Sequence, residues 1–217
     1  MYKRQDELSI KSKNNLEWFW ESVDKDIGII WDEPYTKTLD ISNGIAWSKW
    51  FVNGKTNMYK SSVEKFTKQT PNKIAYHFIS ENGIETKLSY CELNSKVSKL
   101  ANGLKSLGVK KGDIIAIYLP MIEEAIVSIL AAAKIGAIQT IIFSGYSSES
   151  LQIRLQDCHA KILLTSDGFN RKGKDVSQKT TIESAIIDTD IEKIIMVSYM
   201  GIDPVSYTHL RAHETRH

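Results

Sequence analysis

The run "IYLPMIEEAIVSILAAAKIGAIQTIIFSG", residues 117–145, constrains the fold more than any other part of the chain. It is apolar enough to raise the question of a membrane span, which needs about 20 apolar residues without a break. Pro120, Glu123, Glu124 and Lys134 interrupt it, and Gly136 stops it. Three elements explain the pattern instead. Residues 114–119 form a continuous apolar run of strand length, the mark of a strand buried on both faces. Pro120 suits the passage from that strand into the first turn of a helix. Ile122, Ala125, Ile126, Ile129, Leu130 and Ala133 follow at helical spacing, with the paired glutamates near the positive end of the helix dipole and Gly136 as a C-terminal stop. Residues 137–143 read as a second buried strand. A strand–helix–strand crossover belongs to a parallel sheet and not to a membrane anchor.

The same alternation extends to either side. A short helix around Val63 and Phe66 ends before "TPNK". Residues 73–80 and 84–88 then flank Asn82-Gly83, a signal for a two-residue type I′ hairpin. Ser89 and Glu92 form a capping box, followed by a helix with Leu93, Val97, Leu100, Leu104 and Leu107 on its apolar face and Gly108 as its stop. Beyond residue 145 come a helix (Leu151, Leu155, Cys158), a strand over 162–165, a polar loop "SDGFNRKGK", a helix over 181–187 and a strand over 191–197. The predicted class is α/β, with alternating strands and helices and a mainly parallel sheet.

Residues 1 to about 55 differ. All five tryptophans (Trp18, Trp20, Trp31, Trp47, Trp50) lie there, interleaved with Phe19, Tyr35 and Phe51. Aromatics at this density, with little periodicity, point to a strap held on a larger body by large apolar surface. A carbohydrate- or base-stacking platform is the alternative.

The end of the chain differs in another way. "VSYTHLRAHETRH" holds three of the five histidines (His209, His213, His217) and two of the five arginines, where the rest relies on lysine. His209 and His213 would share a helix face and suggest a metal, but no carboxylate or cysteine partner is fixed beside them. The composition break reads instead as a non-native tail, and no metal site is expected.

A formal charge of +2 on 217 residues gives no sign of a nucleic-acid or membrane-surface binder. No apolar leader opens the chain, so the cytoplasm is the default location. Cys91 and Cys158 lack metal-ligand spacing and fall on the apolar side of predicted helices, which predicts buried free thiols.

No P-loop, dinucleotide fingerprint, zinc motif or nucleophile elbow is present. Ligands of open α/β sheets bind at the carboxyl ends of strands, and two loops there carry suitable chemistry. "FSGYSSES" runs from a strand into a helix, with Gly145 allowing close backbone approach and a helix N-terminus suited to an anion. "SDGFNRKGK" ends in Arg171, Lys172, Gly173 and Lys174, three cations around one small residue, fit for a phosphate or merely solvated.

Four blocks, "WSKWFVNGKTN", "KKGDIIAIYLPM", "AKIGAIQTIIFSGYSSESLQIRLQD" and "AKILLTSDGFNRKGK", occur in one order. Together they resemble the N-terminal part of the acetyl-CoA synthetases, within the adenylate-forming acyl-CoA synthetase superfamily. The resemblance implies residues 1–60 as the aromatic-rich N-terminal extension and 61–203 as the first part of the large AMP-binding domain, with 204–217 the non-native tail already read from composition. It implies, for the complete protein, an acyl-adenylate made from ATP and a short carboxylate, then captured by CoA, with Mg2+ as the accompanying ion. Arg171, Lys172, Gly173 and Lys174 match the family's loop that grips the phosphates of CoA, and Phe143, Ser144 and Gly145 match the turn beside it. Small-molecule partners are implied, and neither nucleic acid nor membrane. This chain departs from the family in Ser144, where a second glycine is usual, and in Ile122, where a proline is usual. The family's phosphate loop ending Pro-Lys-Gly and its catalytic lysine are not in the sequence, so the chain reads as a fragment that is not catalytic alone. A short non-catalytic protein that binds CoA or a nucleotide is the alternative.

Overall fold

The computed structural model describes residues 2–81 and 83–201, the side chains of residues 2 and 3 excepted. The histidine-rich tail and Asn82 lie outside the described residues. Two compact units divide at Lys65 and Phe66.

The first unit contains helices α1 (Tyr2–Asn14) and α2 (Leu16–Ile27) and strands β1 (Trp31–Glu33), β2 (Lys37–Asp40), β3 (Lys49–Val52) and β4 (Lys55–Thr56). Strand β1 pairs with β4 and β2 with β3, both antiparallel. The expected irregular strap is therefore a structured unit of its own. Asn15 caps α2 by accepting from the Trp18 amide, and Gly28 ends it at φ +65°. The aromatics pack on one another: Trp31, Tyr35 and Phe51 form one cluster with centroids 5.0–5.4 Å apart, and Phe19, Trp20 and Trp50 another. Asp24 fixes the first cluster, accepting from Trp31 Nε1 at 3.0 Å and from the Tyr35 hydroxyl at 3.2 Å.

A π-helical turn, Lys60–Glu64, leads into α3 (Lys65–Gln69). In the second unit, β5 (Ile74–Ile79) and β6 (Glu85–Ser89) form an antiparallel hairpin. Its turn is not the expected two-residue type. Ser80 N–H donates to Ile84 O, and Gly83 at φ +75° donates back to Ser80 O. That is the three-residue hairpin in which glycine takes the left-handed position.

Helix α4 (Tyr90–Ser106) begins with the predicted capping box, in which Ser89 accepts from the Glu92 amide while the Glu92 carboxylate accepts from Ser89. It buries Leu93, Val97, Ala101 and Leu104, with Leu100 and Leu107 only half-buried. Cys91 is exposed, contrary to expectation. It stands two residues before Leu93, about 200° round the helix from the buried face. The Ser89 hydrogen bonds hold the Glu92 carboxyl below its ordinary value. A lowered folded pKa contributes stability above the unfolded value that is lost as pH falls through the folded one. Ser89→Ala should therefore destabilise the protein most near neutral pH, with the loss shrinking on acidification, as urea titrations at several pH values will show.

Strand β7 (Ile114–Tyr118), α5 (Glu123–Ile135), β8 (Ile138–Ile141), α6 (Ser148–Cys158) and β9 (Ile162–Ser166) follow. A hairpin of β10 (Gly168–Arg171) and β11 (Lys174–Ser177), then α7 (Lys179–Ala185) and β12 (Lys193–Val197), complete the unit. The parallel sheet has the order β12-β9-β7-β8. The strand–helix–strand reading of residues 117–145 holds, with corrections at its edges. Helix α5 starts at Glu123, after Pro120 rather than on it. Its most buried positions are Val127, Ser128, Leu130, Ala131 and Ala132, because a helix apolar almost all round offers no single face to its period. Strand β8 is an edge strand with Ile138 and Ile141 exposed, not a strand buried on both faces.

From β7 the chain crosses to β8 on one side, then back over β7 to β9 and on to β12. Right-handed crossovers place α5 and α6 on opposite faces. Accordingly, α5 packs with α4 and α6 with α7. Ala116 and Tyr118 of β7 and Leu163 of β9 form one core with Leu151 and Leu155 of α6 and Ile182 and Ala185 of α7. Cys158 is half-buried beside that core, and burial pushes its thiol up. No described helix is long and apolar enough to cross a membrane.

Candidate functional site

Strand β7 connects toward one side of the sheet and β9 toward the other, so their connections diverge at the carboxyl ends of adjacent strands. In open α/β sheets that crevice receives ligands. The segments following β8 and β9 both reach this end.

The first is the turn at residues 143–146, closed by Tyr146 N–H donating to Phe143 O at 3.1 Å. Phe143 and Tyr146 meet edge to face at 5.7 Å, and the Arg154 guanidinium lies over the Tyr146 ring at 4.2 Å. Phe143 is 59% exposed, whereas Ser144 is buried. Below the turn, the Tyr118 hydroxyl at the end of β7 donates to Tyr146 O at 2.9 Å. Burial pushes the Tyr118 phenol up, so it stays a neutral donor at physiological pH. The N-terminus of α6 is less open than expected, because Ser147 caps it by accepting from the Ser150 amide.

The second segment is "SDGFNRKGK". It is the β10–β11 hairpin and not an irregular loop: Phe169 pairs with Val176, and Arg171 with Lys174. Lys172 at φ +51° and Gly173 at φ +70° form its two-residue turn, with both φ angles positive as a type I′ turn demands. The polar composition concealed a strand pair with only one apolar cross-strand couple. Close packing sets its base, where a Cβ on Gly168 would come within 2.6 Å of Val176 O. The buried Asp167 carboxylate accepts from the Tyr199 amide at 2.9 Å, and from the Met200 amide with both oxygens.

The two segments meet at Gly145 and Arg171. A Cβ on Gly145 would lie 2.6 Å from the Phe143 ring and 3.1 Å from Arg171 Nη1. The absence of a side chain is thus what lets the guanidinium lie against the turn, a requirement of space rather than of backbone angle. Arg171, Lys172 and Lys174 are all exposed, and among the described residues none of them forms an ion pair. The Lys172 amide is held by the Glu81 carboxylate at 2.5 Å, which fixes the hairpin tip. This arrangement presents a forked donor and two point charges beside an aromatic–glycine turn, a surface able to grip phosphate. Among the described residues, no group of three His, Cys, Asp or Glu side chains could hold a metal ion.

Of the seven sequence-predicted residues, the structure brings Phe143, Gly145 and Arg171 together. Ser144 contributes its buried backbone, and Lys172, Gly173 and Lys174 form the hairpin tip. Sequence reasoning missed Tyr118, Asp167 and Gln178. Tyr118 had a signal, as a phenol ending an otherwise aliphatic strand. Gln178, in the polar string "SQKTT", had none.

Fold and site together define an open α/β domain with a basic hairpin and an aromatic–glycine turn at the carboxyl ends of its strands. Comparison with known proteins narrows the class. Residues 63–213 match the family model described as AMP-binding enzyme, and residues 5–61 that described as acetyl-coenzyme A synthetase N-terminus. The chain belongs to the AMP-binding enzyme family. It is 40% identical over 205 residues to an acetyl-coenzyme A synthetase of Methanothrix thermoacetophila, covering 93% of this chain and 31% of that protein. It is also 40% identical over 207 residues to the acetyl-coenzyme A synthetase of Pyrobaculum aerophilum, covering 91% and 30%. An acetoacetyl-CoA synthetase from Streptomyces lividans shares the fold, with a TM-score of 0.85 at 24% identity over 92% of this chain and 30% of that one. The chain thus spans just under a third of the length of the relatives it matches.

Proposed function

We propose that this chain is the N-terminal part of an ATP-dependent short-chain acyl-CoA synthetase. The complete enzyme would convert a carboxylate, ATP and CoA into acyl-CoA, AMP and pyrophosphate through an acyl-adenylate. Acetate or a similar short acid is the substrate, Mg2+ accompanies ATP, and the enzyme works in the cytoplasm. Residues 1–60 are the N-terminal extension and 61–203 the first part of the AMP-binding domain, whose family match runs on to residue 213. The chain alone does not catalyse the reaction; its contribution is to CoA capture. Arg171 and Lys174 hold the phosphates of CoA, with Lys172 and Gly173 shaping the tip between them, while Phe143, Ser144 and Gly145 form the wall beside it.

One observation carries this reading: the Arg171 guanidinium lies 3.1 Å from where Gly145 would bear a side chain, at the carboxyl end of a parallel sheet. CoA, when bound, supplies the thiol that accepts the acyl group. The residues of this chain fix the far, anionic end of that molecule and so orient it. A charge-assisted hydrogen bond is worth roughly 1.5–3 kcal/mol. In the complete enzyme, Arg171→Ala should therefore raise the KM for CoA about ten- to a hundredfold. ATP–pyrophosphate exchange should continue, because adenylation precedes CoA capture. Lost exchange with unchanged dependence on CoA would assign Arg171 to the other half-reaction.

A further inference from the structure

The geometry points to Gln178 as a positioning residue for CoA capture: a buried amide that locks the aromatic–glycine turn to the base of the basic hairpin. This inference rests on the proposed reading of Arg171 and Gly145. Gln178 follows the last residue of β11 and is 1% exposed. Its Oε1 accepts from the Ser166 hydroxyl at 2.6 Å, and its Nε2 donates to Ser144 O at 3.3 Å. Its own amide donates to Asp167 O at 3.1 Å.

One residue thereby joins three places: its side chain ties the end of β9 to the backbone of the turn, and its backbone N–H holds the start of the hairpin. Tyr118 and Gln178 hold the turn's carbonyls at residues 146 and 144 from beneath, on either side of Gly145. With those carbonyls fixed, the turn meets Arg171 at a set separation. Without Gln178 the Ser144 carbonyl loses its buried donor, and the turn gains freedom to shift against the guanidinium. An unpaired buried carbonyl is unfavourable enough that the turn would move to seek another donor.

The test is a pair of variants in the complete enzyme. Gln178→Glu keeps an acceptor for Ser166, but it can donate to Ser144 O only while protonated. Burial raises the pKa of such a carboxyl, bringing its titration toward neutrality. Nearby, the Tyr118 phenol is pushed up and does not titrate in that range, the Asp167 carboxylate is engaged by the amides of Tyr199 and Met200, and Lys179 adjoins in the chain. The expected result is a KM for CoA close to that of the unmutated enzyme at about pH 6, rising to roughly tenfold above it near pH 8.5, with the unmutated profile divided out. Gln178→Leu should raise that KM about tenfold at every pH. A Gln178→Glu profile parallel to that of the unmutated enzyme would overturn the inference, and an unchanged KM for ATP across the same range separates loss of positioning from general loosening of the fold. If Gln178→Leu does not fold, the pH comparison within Gln178→Glu and a several-fold increase in Tyr118→Phe decide the matter. Arg171→Ala separates the two levels. If it raises the KM for CoA while the Gln178 variants do not, positioning fails alone; if it has no effect, the CoA reading fails and takes the inference with it.

Discussion

Leu163→Ala should destabilise the protein by about 2–5 kcal/mol. Leu163 is fully buried in β9, paired with Ala116 of β7 on one side and Ile194 of β12 on the other. Its side chain enters the core shared with Leu151, Leu155, Ile182 and Ala185. Truncation removes three carbons from a place where the sheet backbone cannot close in. The loss therefore includes the cavity as well as the transfer of the removed atoms. The hydrogen bonds of the ladder belong to the backbone and survive. A urea titration should consequently show a lower midpoint with an unchanged slope. Ile153→Ala on α6, at a position 56% exposed, should change the unfolding free energy by less than about 0.5 kcal/mol. Equal effects from both variants would mean that the two faces of α6 are not distinguished as described.

Most of this core was legible in the sequence because periodicity reports burial. The aliphatic run of β7, the capping box at Ser89 and the glycine stop at Gly136 each express a local physical requirement, and each stands where expected. Legibility failed where one pattern fits two structures. Residues 137–143 are as apolar as a buried strand, yet β8 lies at the sheet edge, and strand order is not written in local composition. The turn signals show the same limit. Asn82-Gly83 has the type I′ dipeptide, but the two-residue type I′ turn is made by Lys172-Gly173, inside a string that reads as polar loop. A lysine tolerates φ +51° there because the hairpin is fixed from outside, at its base by Gly168 and at its tip by Glu81.

The candidate site divided along the same line. Charges and glycines are visible one residue at a time, so the sequence alone singles out Arg171, Lys174 and Gly145. That Gly145 and Arg171 face each other follows from the crossing of β8 and β9 on either side of β7, a long-range fact. The buried supports of the site were hidden for a different reason. A glutamine in a polar string has the composition of a solvated surface, and only tertiary packing makes Gln178 an interior residue.

On the proposed reading of the site, Gly145→Val is the substitution with the largest expected effect on CoA capture, raising the KM for CoA about a hundredfold in the complete enzyme. The new Cβ would stand 2.6 Å from the Phe143 ring, below any distance that real Cβ atoms keep, and 3.1 Å from Arg171 Nη1. Both neighbours are exposed ends of side chains, so they can move aside without disturbing the core. Melting temperature should therefore change little while the site loses its arrangement. Alanine should be milder than valine, because the branched methyl groups extend the overlap toward both the ring and the guanidinium. The mechanism is separable by a double-mutant cycle. If valine acts by displacing Arg171, then Gly145→Val combined with Arg171→Ala should bind CoA scarcely worse than Arg171→Ala alone, since the displaced group is already gone. Full additivity of the two would show instead that Gly145 shapes a contact in which Arg171 has no part.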